Sequence, residues 1–151
     1  MWTSNVLASS LTDFPLSSRR WTNCICSRVS FLVLAAPDID ADTFRELAES
    51  LKRVSGHITL YASSKDKAIR ASKKLHMNPR LGALPLVVLP GVESIDASRL
   101  GSDWLSHSYF GDNWPLLSDI HALFSADLPA SKRFGLEKHT DGEKTYYAKF
   151  V

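Results

Sequence analysis

Phe31-Leu32-Val33-Leu34-Ala35-Ala36-Pro37 is the stretch that decides the fold. An unbroken apolar run ended by a proline fits a strand covered on both faces of a parallel sheet; a half-exposed strand would alternate. Just downstream, Thr43 and Glu46 have capping-box spacing, and Phe44, Leu47, Ala48, Leu51 and Val54 recur at helical intervals. That pattern predicts an amphipathic helix closed by Gly56. Ile58-Thr59-Leu60-Tyr61 reads as a second strand. Ser63-Ser64 then suits the cap of a helix running to about Lys74, with Ala68, Ile69 and Leu75 inward and Lys67, Arg70, Lys73 and Lys74 outward. A Pro/Gly-punctuated connection over residues 78–91 leads to a weaker third strand, residues 92–97. Pro115 fits the first turn of a further helix, striped by Leu116, Leu117, Ile120, Leu123 and Phe124. The tail predicts a two-strand ribbon, residues 134–139 and 144–150, around Asp141-Gly142. Strands alternating with helices specify an α/β domain with parallel strands and right-handed crossovers.

Composition agrees with a globular domain. The chain has 151 residues, 44% hydrophobic and 23% charged, with 18 Lys+Arg against 16 Asp+Glu. That balance gives no drive toward nucleic acid or an acidic membrane surface. The longest apolar runs fall far short of the roughly 20 residues a membrane span needs. Cys24 and Cys26 are too close for a framework disulfide, and no other cysteine is present to complete a zinc site. Residues 1–30 differ from the rest: rich in serine, with Arg19, Arg20 and Arg28 against a single acid, Asp13, they supply the whole net charge of +2. They show no sustained period, and no apolar segment follows Arg19-Arg20 as an export signal would require. The expectation is a poorly ordered leader over 1–30, an α/β domain over 31–125 and a tail over 126–151. No compartment is specified, and a cytoplasmic one is the default.

In open α/β sheets ligands bind beyond the carboxyl ends of the strands. Asp38, Asp40 and Asp42 follow the first strand, Asp66 the second, and Ser106-His107-Ser108 the third. An acid after one strand and a histidine after the next match the end of a Ser…Asp…His order. There the carboxylate fixes the imidazole tautomer and stabilises the imidazolium, while the imidazole takes and returns the proton of a serine nucleophile. The bland alternative is a helix cap and a solvated loop histidine. Trp104, Tyr109, Phe110 and Trp114 cluster around His107 in the sequence, as packing for the sheet end or as the wall of an acyl pocket.

Val33-Leu34-Ala35-Ala36-Pro37-Asp38-Ile39-Asp40, the run from Ile58 through Ala62-Ser63-Ser64-Lys65-Asp66 to Ala68, Ile95-Asp96-Ala97-Ser98 and His107-Ser108-Tyr109-Phe110 together resemble a bacterial α/β-hydrolase family of esterase/lipase-like proteins of unknown function. The resemblance covers about residues 31–125. It implies that the three strands are the last three of a doubly wound, mostly parallel hydrolase sheet, so that the chain holds the C-terminal half of such a domain. It implies Asp66 as catalytic acid and His107 as catalytic base, with Asp38 or Asp40 as the alternative acid, and a small-molecule ester as the substrate of the intact family.

Such a hydrolase also needs a Gly-x-Ser-x-Gly elbow, where a strained strand-to-helix turn presents the serine beside oxyanion donors. The glycines are 56, 82, 91, 101, 111, 135 and 142, and no pair brackets a serine with that spacing. Loss of the nucleophile typically costs on the order of 10⁶ in turnover. The expectation is therefore a truncated or frame-shifted serine-hydrolase remnant, inactive alone, whose first strand leaves an apolar edge open to self-association. The alternative is a non-catalytic α/β binding or interaction module. No cofactor and no metal are expected: the alternating Asp38, Asp40 and Asp42 lack the glycine and glutamate of a calcium loop, and His76, His121 and His139 lack ligand spacing. The Lys67/Arg70/Lys73/Lys74 face has no accompanying aromatic platform, so nucleic-acid binding is not expected.

Overall fold

The computed structural model describes residues 29–66, 69, 78–100 and 114–149. Strand β1 (Val29–Ala35) leads through helix α1 (Ala41–Val54) into β2 (Ser55–Ala62). Strand β3 (Glu93–Asp96) and a single 3-10 turn (Ser98–Leu100) follow, then helix α2 (Trp114–Ala126) and the hairpin strands β4 (Leu136–Asp141) and β5 (Lys144–Lys149). The five strands make one sheet in the order β1-β2-β3-β5-β4. β1, β2, β3 and β5 pair in parallel and only β4 runs antiparallel, against β5. This is the mostly parallel α/β sheet that the strand and helix alternation predicts.

The apolar run of β1 is divided between two layers because successive side chains point to opposite faces. Leu32 and Leu34, with Ile58 and Leu60 of β2, pack against Phe44 and Leu51 of α1. Val33 and Ala35, with Tyr61 and Ile95, pack against Leu116 and Ile120 of α2. Phe44 is 2% exposed, and burial of a phenylalanine contributes roughly 1.5–3 kcal/mol. Among the described residues β1 lies at the sheet edge, and its residues from Phe31 to Ala35 are only half-buried where those of β2 from Ile58 to Ala62 are buried.

Several local expectations change. Asp40, not Thr43, caps α1: its Oδ1 accepts from the backbone N–H groups of Asp42 (2.9 Å) and Thr43 (3.0 Å). Gly56 does not close α1, because Ser55 already ends the helix, its Oγ donating to the Leu51 carbonyl at 2.7 Å. Gly56 instead lies inside β2, where a Cβ would meet the Ser30 carbonyl oxygen at 2.6 Å. The strand is accordingly longer than residues 58–61. Asp66, rather than Ser63 or Ser64, caps the next helix, its Oδ1 accepting from the Ile69 N–H at 2.9 Å. Of that helix only Ile69 is described; it is helical and buried, and the basic face predicted beside it lies outside the described residues. Leu47 and Phe124 are largely exposed, although the Phe124 ring stands 5.3 Å from that of Phe31. The C-terminal ribbon is present, but it is no appendage: β5 pairs with β3 and extends the main sheet.

Between the ends of β1 and β2 lies residue Gly82. Its N–H donates to the Pro37 carbonyl at 3.0 Å and its carbonyl accepts from the Ser63 N–H at 2.9 Å. A Cβ there would stand 2.5 Å from the Ala36 carbonyl carbon and 2.8 Å from the Pro37 nitrogen. These are backbone atoms, which cannot rotate away. Gly82→Ala is expected to lower stability by about 1–3 kcal/mol, as overpacking does, with urea denaturation as the measurement; an unchanged midpoint would contradict this account of the strand ends.

Candidate functional site

Because β1, β2 and β3 are parallel, their carboxyl ends lie along one edge of the sheet, and the loops that leave them gather there. β1 is followed at once by Ala36, whose φ of 40° is unusual for a residue with a side chain and costs on the order of 1–2 kcal/mol. Its N–H is held by the Tyr61 carbonyl at 2.9 Å. The bend turns the chain across the strand ends toward Asp38 and Asp40. Residues 79–83 lie against this segment, held by Ala41 N–H to the Pro79 carbonyl and Leu81 N–H to the Ile39 carbonyl, each 2.9 Å.

Each acidic residue at this edge has a distinct setting. Asp38 is half-exposed and pairs with Arg80 Nε at 3.1 Å. Asp40 is committed to the start of α1. The Thr43 N–H donated to its carboxylate holds its pKa below the ordinary value, opposed by desolvation and assisted by the Asp42 N–H, Asn78 and the charge of Arg80. Asp66 is 6% exposed and lies in the loop after β2, with Oδ1 bonded to the Ile69 N–H. Its loop is joined to the one that leaves β3: Ala97 N–H donates to the Ala62 carbonyl at 2.8 Å, and Ser64 N–H donates to Ser98 Oγ at 2.9 Å. Asp66 thus belongs to the loop coupled to the stretch that runs on to His107, whereas Asp38 and Asp40 are occupied by Arg80 and α1. His107, Trp104, Tyr109 and Phe110 lie outside the described residues. Trp114, the first residue of α2, is 76% exposed.

Beneath this edge, on the α2 face of the sheet, sequence reading missed a buried ionic cluster. Tyr61 donates its phenolic proton to Asp119 Oδ2. Arg133 Nη1 donates to the same oxygen at 3.2 Å and Nη2 to Glu93 Oε2 at 2.6 Å. Lys149 Nζ stands 3.7 Å from Asp119 Oδ1 and donates to the Phe134 carbonyl at 2.9 Å. Thr59 Oγ1 and the Ala130 N–H complete Glu93, at 3.1 Å and 2.8 Å. Asp119 and Arg133 have fully buried side chains. Burial first, then the Asp119 charge and hydrogen bond, push the Tyr61 phenol far above its ordinary range, so it serves as a donor. Burial likewise lowers the Lys149 pKa, with Asp119 opposing. Two carboxylates face a guanidinium and an ammonium, so the cluster is charge-balanced. Its sequence signal is Asp119 itself, an acid at helical spacing between Leu116 and Leu123.

A model for the family described as "Alpha/beta hydrolase of unknown function (DUF900)" matches residues 4–122. The match begins upstream of β1 and ends within α2, so β4 and β5 lie beyond it. No curated protein and no solved structure matches the chain. Among the described residues no helix is long and apolar enough to cross a membrane, and no group of three or more His, Cys, Asp or Glu side chains is arranged to hold a metal ion.

Arg133→Met strips the guanidinium from both Asp119 and Glu93 and is expected to cost about 3–5 kcal/mol of stability in urea denaturation; a loss below about 1 kcal/mol would contradict the cluster's role. Arg133→Lys restores a charge without the two-pronged geometry and should recover only part of the loss. The lowered pKa of Asp40 sets a sign: its contribution is present above the ordinary carboxylate value of 3.8 and is lost as pH falls through its own lower value. Asp40→Ala should therefore lower the melting temperature at neutral pH, with the gap to wild type closing in acid. A gap that widens in acid would refute this.

Proposed function

Since this chain belongs to the α/β-hydrolase family of unknown function DUF900, we propose that it carries the acid and base of a serine-type carboxylic ester hydrolase, of esterase/lipase-like chemistry, without the serine they serve. The observation that carries the reading is the position of Asp66. It stands in the loop that leaves a parallel strand at the carboxyl edge, is nearly enclosed, and that loop is hydrogen-bonded to the one that leaves β3. In the proposed arrangement the Asp66 carboxylate accepts the His107 Nδ1 proton, fixing the tautomer. Nε2 then takes the hydroxyl proton of a serine as its oxygen attacks the ester carbonyl, and later returns that proton to the leaving alkoxide. The Ile69 N–H donated to Oδ1 orients the Asp66 carboxylate.

The alternative acids lie on the loop after β1: Asp40 Oδ1 accepts two amides of α1, as Asp66 Oδ1 accepts an amide of its own helix, and Asp38 pairs with Arg80; the reading favours Asp66 because its loop is hydrogen-bonded to the one after β3. The 151 residues contain no Gly-x-Ser-x-Gly, and the proposal is that this chain alone turns over no ester. Among the described residues β1 is the outer strand of the sheet, and the proposal places self-association of the chain there. The test is p-nitrophenyl acetate hydrolysis by the full chain beside a His107→Ala control. Equal rates are expected; a robust rate that His107→Ala abolishes would overturn the missing-nucleophile reading.

A further inference from the structure

We propose that residues 130–149 exchange between two copies of this chain, each copy's hairpin segment docking on the sheet of the other. This is independent of the acid and base assignment. The segment holds its own backbone order. β4 and β5 pair with each other over six residue pairs, from Leu136↔Lys149 to Asp141↔Lys144. In the turn before them, the Lys132 N–H donates to the Pro129 carbonyl at 2.8 Å and the Arg133 N–H to the Ala130 carbonyl at 3.3 Å. Its ladder to the rest of the sheet is short, the two pairs Ile95↔Tyr147 and Asp96↔Ala148.

Charge fastens it. The segment supplies the cations of Arg133 and Lys149, and the body supplies the carboxylates of Asp119 and Glu93. The Ala130 N–H also donates to Glu93 Oε1 at 2.8 Å, and Arg133 Nη1 donates to the Tyr61 hydroxyl at 3.3 Å. Leu136 and Tyr147 add apolar contact on the α2-side core. A body parted from its segment keeps two carboxylates without their counter-charges, and the segment keeps two cations, so separation is costly on both sides. A second copy's segment carries the same cations at the same spacing, together with a strand for the β3 edge. The complementarity therefore selects this chain as its own partner, and reciprocal exchange closes the pair in two-fold symmetry.

The hinge favours exchange. Only residues 127–129 join α2, which ends at Ala126, to the 3-10 turn that begins at Ala130. In the closed chain Asp127 stands at a φ of 50°, in the left-handed region. A connection this short, held in such a turn, is the kind of hinge that invites swapping. Exchange extends it and frees Asp127 from the turn. Closed and exchanged forms share the same docking contacts, so the effective concentration of the tethered segment, on the order of 1 mM for a short linker, sets where dimers appear.

Refolding the full chain from urea at about 1 mM, then measuring mass by size exclusion with light scattering, is expected to give a dimer. A chain that stays monomeric overturns the proposal. Connectivity is read from Asp96→Cys with Ala148→Cys, made on a Cys24→Ser, Cys26→Ser background and refolded alike. In the exchanged dimer the disulfide between positions 96 and 148 joins two chains, so the oxidised dimer should run at twice the chain mass on a non-reducing gel. Single chains free of thiols would place the disulfide within each chain; the dimer would then form by another surface, such as β1, and exchange would be overturned. Should the cysteines fail to pair or the variant fail to fold, the hinge decides. Inserting Gly-Ser-Gly-Ser between Leu128 and Pro129 should lower the dimer fraction at least about tenfold, and an unchanged fraction overturns the proposal.

Discussion

Parallel pairing of β1, β2 and β3 is the constraint on which the rest of this molecule depends. Parallel neighbours start at one edge of a sheet and finish at the other, so every loop that leaves them emerges on the same side. Asp38 and Asp40, Asp66, and Ser98 are thereby delivered to one edge from distant parts of the chain. The hydrogen bonds across that edge, from Gly82 to Pro37, Ser63 to Gly82 and Ala97 to Ala62, extend the sheet's order into the loops. Loops joined this way are held in place by the strands below them.

The ionic cluster around Asp119 performs a second task. α2 and the hairpin β4–β5 pack apolar residues on this face of the sheet, and Arg133 and Lys149 reach from the hairpin segment to the Asp119 side chain of α2 and, through Glu93, to β3. A buried, balanced set of charges is seldom worth more than apolar packing, but it penalises any arrangement in which one member lacks its partner. Here it ties the elements after the His107 stretch to the strands before it. The family match stops within α2, while the cations of the cluster lie beyond it. The core seen in the family-matched part is thus completed by residues outside that match.

Much of this was legible in the sequence, for physical reasons that also explain the failures. The β1 run and the α1 stripe identify their elements because burial on two faces and burial on one face leave different periods. Asp66 was legible by its place after a strand. Gly56 misled, since a glycine after a helical stripe reads as a helix end, while the close approach of Ser30 that requires it involves a strand the sequence does not align. The Asp141-Gly142 turn announced a hairpin, but nothing local says that β5 will lie beside β3. Asp119 was visible as an acid among leucines, yet Arg133 and Glu93 are 14 and 40 residues from their partners in the cluster. Such pairings are properties of register, which periodicity does not encode.

One distance tests the central claim, that this edge of the sheet unites an acid and a base built for ester hydrolysis. A crystal structure of the full chain is expected to place a ring nitrogen of His107 within hydrogen-bond reach of an Asp66 carboxylate oxygen, about 2.6–3.2 Å, with the other nitrogen facing open space where a serine hydroxyl would stand. An imidazole directed away from Asp66, or bonded instead to Asp38, would contradict it.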